Sequence, residues 1–351
     1  MNVLVTGGAG YIGSHACKRL LAHGHTVVVV DNLYRGHTSA LDAIRAAANL
    51  ADDRLVFHKA DVNDNAALTH ILRAHRCDAV IHFAALAYVR ESMDDPISYY
   101  RANTAAAVSL LEACRDAGVT RLVFSSTCAT YGEPEPARIP IREDCPQKPI
   151  NPYGWSKLFI ERMTIDWSDA LRRAGKPFAV AMLRYFNVAG CDRAGVVGED
   201  HTPETHLIPI ILQVVAGKRD ALTIFGTDHP TPDGTCVRDY IHVEDLVDAH
   251  AVVLDALDPN KNEVRAYNLG IGTGLSIRQV IASVERVTGT KVAAKDGPRH
   301  PGDPPTLFCD PSKIERELGW RASIRDIDEI VASAWNWFRL NPNGYRTSRD
   351  G

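Results

Sequence analysis

The sequence predicts an α/β fold, a doubly wound parallel sheet with a smaller C-terminal α/β lobe, and three observations carry that reading. Over the first half of the chain, short and nearly continuous runs of Val, Ile, Leu and Phe alternate with helix-period stretches, as expected for strands buried on both faces of a parallel sheet. A glycine-rich turn joins the first such run to the first helix. The composition is ordinary for a globular protein: of 351 residues, 45% are hydrophobic and 23% charged. That disfavours disorder, collagen-like repeats and a coiled coil. At roughly 100–200 residues per domain the length suits two domains.

In chain order the expected strands lie at 3–6, 26–31, 55–58, 79–83, 121–126 and 179–186. The expected helices between them lie at 12–23, 64–75, 97–116 and 152–174. Strand and helix in regular alternation make a doubly wound sheet, because parallel neighbours need crossover connections. After residue 186 the pattern changes to a glycine-containing stretch, a helix near 206–216, strands at 222–225 and 237–241, and helices near 243–257, 276–288 and 325–338. The division expected is a first domain over 1–186 and a lobe over 187–351, with the chain crossing back at least once.

The charge balance, 39 Lys+Arg against 43 Asp+Glu for a net −4, has no basic stripe and so gives no footprint for nucleic acid. No apolar run approaches the roughly 20 residues that cross a bilayer. The first residues lack the basic and apolar regions of a signal peptide. Eight cysteines are scattered without metal-ligand spacing, which points to free thiols in a reducing cytoplasm and to no metal site.

The first turn reads Gly7-Gly8-Ala9-Gly10-Tyr11-Ile12-Gly13. Gly7 permits a tight turn, Gly10 lets backbone approach a pyrophosphate, and Gly13 allows helix to pack closely on sheet, with the diphosphate at the positive helix end. Asp31 ends the next strand, 18 residues beyond Gly13, where a carboxylate can accept from ribose hydroxyls and repels a 2′-phosphate. The expected cofactor of this Rossmann-type unit is NAD. Asp61, ending the third strand, reads either as a turn-former or as an acceptor for the adenine amine.

A second constellation combines Ser125, Ser126 and Thr127, at the end of the fifth strand, with Tyr153 and Lys157 at the start of the long helix. Residues four apart share a helix face, and ligands of open α/β sheets bind beyond the carboxyl ends of the strands. A lysine beside the phenol, and a positive nicotinamide, would favour the phenolate. Lowering a Tyr pKa from about 10 to about 7 takes roughly 4 kcal/mol of differential stabilisation. Tyr153 is then the expected base, with Lys157 and Thr127 supporting it.

Taken together, these residues resemble the extended short-chain dehydrogenase/reductase family and, within it, the UDP-glucose 4-epimerases. The resemblance runs nearly end to end. Its specific strings are the glycine turn, Asp31-Asn32-Leu33, His82-Phe83-Ala84-Ala85, Leu183-Arg184-Tyr185-Phe186-Asn187 and Gly234-Thr235-Cys236-Val237-Arg238-Asp239-Tyr240-Ile241-His242.

The resemblance implies an NAD-dependent isomerase that interconverts UDP-galactose and UDP-glucose: hydride leaves sugar C4, the 4-keto sugar rotates, and hydride returns to its other face. It implies NAD contacts at Asp31, Asn32, Asp61, Val62, Phe83, Ala84, Asn103, Lys157 and Tyr185. It implies UDP-sugar contacts at Ser125, Thr127, Tyr153, Asn187, His206, Leu207, Phe225, Arg238, Arg299, His300 and Asp303. A homodimer through the helices at 97–116 and 152–174 is expected on the same ground.

Some positions leave alternatives open. Arg238 suits phosphate oxygens by its guanidinium fork, or pairs locally with Asp239. His206 contacts the nucleotide or only starts a helix. His300 stands where the resembling enzymes carry an Arg, which leaves Arg299 to compensate or makes UDP affinity pH-sensitive. Ala87 replaces a Lys near the nicotinamide. Cys128-Ala129 replaces the Asp-Glu of the family's dehydratases, against dehydration, and Cys128 itself reads as packing. Leu307 is intermediate in size at a position that separates hexose from N-acetylhexosamine substrates. The strings at 87–89 and 125–132 also fit UDP-xylose/UDP-arabinose epimerases. A non-catalytic NAD-binding regulator would typically lose the Tyr or the Lys, and both are present.

Overall fold

The computed structural model describes residues 1–49, 51, 53–299 and 304–345. Six strands appear in the first half: β1 (Asn2–Thr6), β2 (Thr26–Asp31), β3 (Leu55–Lys59), β4 (Ala79–His82), β5 (Arg121–Thr127) and β6 (Ala179–Tyr185). The later strands are β7 (Asn187–Ala189), β8 (Leu222–Phe225), β9 (Val237–His242), β10 (Val264–Leu269), β11 (Gly274–Ser276), β12 (Ala294–Gly297) and β13 (Thr306–Leu307). Seven of them form one parallel sheet in the order β10-β6-β5-β4-β1-β2-β3.

Strand alternation divides the interior. Val3, Val5, Val27, Val29, Ile81, Val123, Ala181 and Leu183 point into one apolar cluster, and Leu4, Val28, Val30, Val80, Leu122, Phe124, Val180 and Met182 into another. A period of two sends neighbouring residues to opposite faces, and helices cover both. On the first face pack α1 (Tyr11–Ala22), α2 (Thr38–Ala48) and, from later in the chain, the helix Val243–Ala256. On the second face pack α3 (Asn65–Ala74), the helix Ala106–Ala117 and the helix Pro152–Arg173.

The remaining helices complete the numbering. After α3 come α4 (Val89–Asp94), α5 (Pro96–Tyr99), α6 (Ala106–Ala117) and α7 (Pro152–Arg173). They are followed by α8 (Leu207–Val215), α9 (Val243–Ala256), α10 (Ile277–Thr288), α11 (Ser312–Leu318) and α12 (Ile327–Leu340). A third apolar cluster binds α8, α10 and α12 to β8 and to Tyr240 of β9. The small strands make two further sheets, β11-β9-β13 with β7 beside β9, and β12-β8.

The structure differs from the sequence reading in several places. The stretch 97–116 is not one helix: α5 leads into a π-helical turn, Tyr100–Ala105, and only then into α6. The helix α2 was not expected; its N-cap His37 makes no side-chain cap bond, so the usual start signal is absent. The strand β10, whose sequence mixes Arg and Asn with apolar residues, was missed because it lies at the sheet edge and its first half is partly exposed. Through β10 the chain re-enters the large sheet after β7, β8 and β9 have been laid outside it.

Candidate active site

From β1 the chain winds outward to β2 and β3 on one side, then returns to β4, β5 and β6 on the other. The reversal lies between β1 and β4, and the crevice beyond such a point is where open α/β sheets take ligands. The glycine turn occupies it. Gly7 has φ +72°, and a Cβ there would stand 2.7 Å from Ala84 N. At Gly13 a Cβ would fall 2.0 Å from Gly7 O. Gly10 differs, since its Cβ would meet nothing nearer than Gly7 O at 3.4 Å. Gly7 and Gly13 are needed by the turn itself, and Gly10 leaves a smooth face beside the start of α1. That helix has no side-chain cap and no acid in its first turn, so its leading N–H groups are available to an anion.

Asp31 completes the turn. Its Oδ2 accepts from Ala9 N at 3.0 Å and its Oδ1 from Leu33 N at 2.8 Å, which fixes the carboxylate at the rim with lone pairs to spare. Burial raises its carboxyl above the usual range, and those two N–H bonds oppose the rise. Asn32 donates to Asp61 Oδ2 at 2.8 Å, while Asp61 Oδ1 accepts from Asn63. Asp61 thus closes a turn, and it stands at the same rim. Val62 is buried in the second apolar cluster, and Ala84 N donates to Thr6 O at 3.1 Å. Ile12 and Phe83 pack near Val188 at the crevice floor. The Tyr11 ring turns away from the crevice: its hydroxyl donates to Gly190 O at 2.5 Å, so only its backbone faces the helix start.

The second constellation assembles where β5 ends. Asn151 caps α7 by accepting from Gly154 N at 2.8 Å, and Pro152 occupies the first turn. A Cβ at Gly154 would come 2.5 Å from Ala129 O. Glycine there lets the first turn of α7 press onto the chain leaving β5, which brings Tyr153 to Thr127. Lys157, one turn on, donates from Nζ to Ser125 O at 2.9 Å. Tyr185, at the end of β6, registers against Thr127 and lies beside the Ser125 side chain. Ser125 Oγ is also 3.2 Å from His250 Nε2.

The electrostatics here differ from the expectation that lysine would lower the phenol. Burial raises Tyr153 well above its ordinary value, the Tyr185 phenol adds to this, and Thr127 pulls it back only in part. Burial also pushes Lys157 down to about 7. Desolvation disfavours both charged forms, so the protein's own groups hold the phenol neutral and leave the lysine divided between its charged and neutral forms near pH 7. Cys128 is pushed up to about 11, mainly by burial, which fits packing rather than a thiolate.

Strand register in the small sheets places several of the other expected contacts. Asn187 registers against Tyr240 through β7 and β9, and Leu307 registers against Arg238 through β13 and β9. Asp239 points to the opposite face, accepting from Ile271 N at 2.8 Å and Gly272 N at 3.0 Å. The alternative of a local Arg238–Asp239 pair is therefore not what the strand builds. Arg238 lies close enough to Cys128 for its charge to lower that thiol. The β8–β12 pairing sets Gly297 against Phe225 and so brings Arg299 close, where its Nε donates to Asp228 Oδ1 at 2.6 Å. His206 stands at the N-cap position of α8 without a side-chain capping bond, ahead of Leu207. Asn103 is enclosed in the π-helical turn, where its amide bonds both the N–H and the C=O of Leu86, and Ser156. His300 and Asp303 lie outside the described residues.

From residue 3 to residue 270 the sequence matches the NAD dependent epimerase/dehydratase family. The chain belongs to that family. Its relatives include a UDP-glucose 4-epimerase of Lacticaseibacillus casei, 46% identical over 98% of this chain and 99% of that one. Another, from Streptococcus mutans, is 48% identical over 98% and 99%. A solved UDP-glucose 4-epimerase of Bifidobacterium longum, in complex with NAD+ and UDP, superposes with a TM-score of 0.91 at 38% identity, covering 98% of this chain and all of that one. The family cofactor, NAD, is the cofactor of this chain, and the crevice fits it: a turn open at Gly10, free helix N–H groups and a rim carboxylate.

For a member of the NAD dependent epimerase/dehydratase family, two groups near the site escaped the sequence reading. Glu161 continues the Tyr153/Lys157 stripe by one more turn. It accepts from Ser126 Oγ at 2.5 Å and from Arg184 Nε and Nη2 at 2.9 and 2.7 Å, all buried. The i+4 spacing was the signal. The second group is Glu199, His201 and Glu204, gathered around His206.

Proposed function

We propose that this protein is a UDP-glucose 4-epimerase that interconverts UDP-galactose and UDP-glucose. What carries the reading is the meeting of Thr127, Tyr153 and Lys157 at the carboxyl end of β5, beside the glycine turn, in a chain whose full-length relatives bear that name. Bound NAD supplies the hydride acceptor and donor and, as a cation, the charge that lowers the Tyr153 phenol.

Tyr153 takes the proton of the sugar 4-hydroxyl as the C4–H electron pair leaves, and gives the proton back when that pair returns to the opposite face. Thr127 holds the hydroxyl in line with the phenol. Lys157, fixed by Ser125 O, adds positive charge beside the phenolate once it takes a proton, which its lowered pKa near 7 allows within the working range. Arg238 and Arg299 meet the diphosphate by charge, with Asn187, His206, Leu207 and Phe225 around the nucleotide. On this reading Asp31, Asn32 and Asp61 serve the adenosine end, and Phe83, Ala84, Asn103 and Tyr185 the nicotinamide end. The division into a 1–186 cofactor domain and a 187–351 substrate lobe follows this assignment of roles.

The test is a panel of UDP-galactose, UDP-N-acetylgalactosamine and UDP-xylose on one preparation with no oxidant added. The hexose is expected to turn over with the highest kcat/KM. Preference for the pentose or the N-acetyl sugar would move the assignment to those epimerases, and no turnover with NAD bound would make the protein a binding module.

We also propose a homodimer. Ile97 on α5, Val108 on α6, and Trp155 and Phe159 on α7 are each at least 39% exposed, and the Trp155 and Phe159 rings stand 5.6 Å apart. A contiguous exposed apolar patch of this kind marks an interface. Phe159→Glu should halve the mass seen by light scattering; a parent that is already monomeric contradicts the proposal. The eight free cysteines suit the cytoplasm, and no helix among the described residues is long and apolar enough to cross a membrane.

A further inference from the structure

Four side chains converge at the loop between β7 and α8. His206 Nδ1 lies 2.9 Å from Glu199 Oε1 and 2.9 Å from Glu204 Oε1. His201 Nδ1 lies 3.4 Å from Glu199 Oε1 and 3.6 Å from Glu204 Oε2. With one atom taken from each residue, all four fall within 4.8 Å of one another. Ligands held about 2.0–2.1 Å from a tetrahedral ion stand about 3.3 Å apart, near the His–Glu spacings above, in which Glu204 meets His206 through Oε1 and His201 through Oε2.

We propose that Glu199, His201, Glu204 and His206 form a divalent-cation site of the zinc type, with two imidazole nitrogens and two carboxylate oxygens as ligands. Two imidazoles favour zinc over magnesium or calcium, which take oxygen alone. When an ion binds, both imidazoles release their protons, and the two carboxylates then leave two negative charges that one divalent ion cancels.

Three further features support a ligand at this point. The Glu199 side chain is only 4% exposed, yet its Oε1 and His201 Nδ1 both lack a properly oriented hydrogen-bond partner. Buried polar atoms left this way are uncommon and call for an explanation. Glu204 is already oriented from outside the set, since its Oε1 accepts from Thr205 N and His206 N at 2.8 Å, as carboxylate ligands usually are. The rings of Tyr11 and Tyr88, centred 6.0 and 6.2 Å from His201, wall off one side, while the His206 side chain, 40% exposed, leaves a path in. The bound ion would fasten the 199–204 loop to the N-cap of α8. The site stands on its own geometry and shares His206 with the residues proposed to surround the nucleotide.

The experiment strips the holoprotein with EDTA, titrates it with Zn²⁺ by equilibrium dialysis, and repeats the titration with Co²⁺ in an absorption spectrometer. The proposal expects one Zn²⁺ per chain and the intense visible bands of tetrahedral Co²⁺ without thiolate charge transfer. Glu199→Gln and His201→Asn should each weaken binding by at least about 10-fold. Three outcomes overturn it: no stoichiometric zinc, which leaves the cluster a His–Glu ion-pair network; a thiolate or octahedral cobalt spectrum; or unchanged binding in both variants, which moves the ion to a set such as His23, His25 and Asp255. The cobalt spectrum of the parent protein decides the ligand type even where a variant fails to fold.

Discussion

At the carboxyl end of the large sheet, Lys157 and His82 are buried with no carboxylate paired to them among the described residues. Burial pushes the lysine down to about 7 and the histidine down to about 3. Across the cleft, in the loop before α8, His201 and His206 lie against two carboxylates and are held up to about 9 and about 10, although desolvation acts against the charge there too. The two regions are built from the same kinds of side chain. What separates them is whether a carboxylate shares the enclosure. One wall holds its lysine poised between charged and neutral near pH 7 and its histidine neutral, and the other carries its own counter-charges. Hydride chemistry suits the first wall, where a proton and a charge must change place during the reaction.

If the sheet-end wall works through a neutral phenol recruited as a base, Tyr153→Phe should lower kcat by about 10²- to 10⁴-fold. The NAD content measured after purification should stay at the parent level. A variant within 10-fold of the parent would remove Tyr153 from the proton step and break the comparison at its main point.

The carboxylate on the Lys157 helix at the sheet end, Glu161, is spent on Arg184 and Ser126 rather than on Lys157. Arg184 is 6% exposed, so Glu161→Ala would strand a buried charge at a cost of about 3–5 kcal/mol. Urea unfolding should show that loss. A loss under 1 kcal/mol would mean that the pair is wetter than its burial indicates.

Stability should also depend on pH. Burial lowers His15 and His250 to about 4 and His82 to about 3, against 6.5 in an unfolded chain. Between those values the unfolded state binds protons that the folded state does not, so stability falls as pH drops below 6.5. Each such histidine contributes up to about 1.4 kcal/mol per pH unit. A melting temperature that stays flat from pH 6.5 to 4.5 would show these rings to be protonated in place.

Much of this was legible in the sequence where the signal is local. The sheet strands before residue 186 announced themselves as apolar runs, the glycine turn carried its own spacing to Asp31, and Tyr153 and Lys157 shared a face by being four apart. What stayed hidden depends on distant contacts. The strand β10 is recognisable only once β6 is there to pair with it, and the widened turn at Tyr100–Ala105 has no residue that marks it. The lowered pKa of Lys157 depends on the enclosure formed by β5 and α7 together, and spacing cannot report desolvation. Glu199 and Glu204 are five residues apart in an irregular loop and become a cluster only through its fold.

The central claim is that the proton and hydride leave and return within one enclosed site. Its most direct measurement uses UDP-galactose carrying deuterium at C4, incubated with the purified holoprotein in ordinary water without added NAD. The account predicts UDP-glucose that keeps the deuterium at C4. Product that has exchanged the label with solvent, or no product from a preparation that contains NAD, would contradict it.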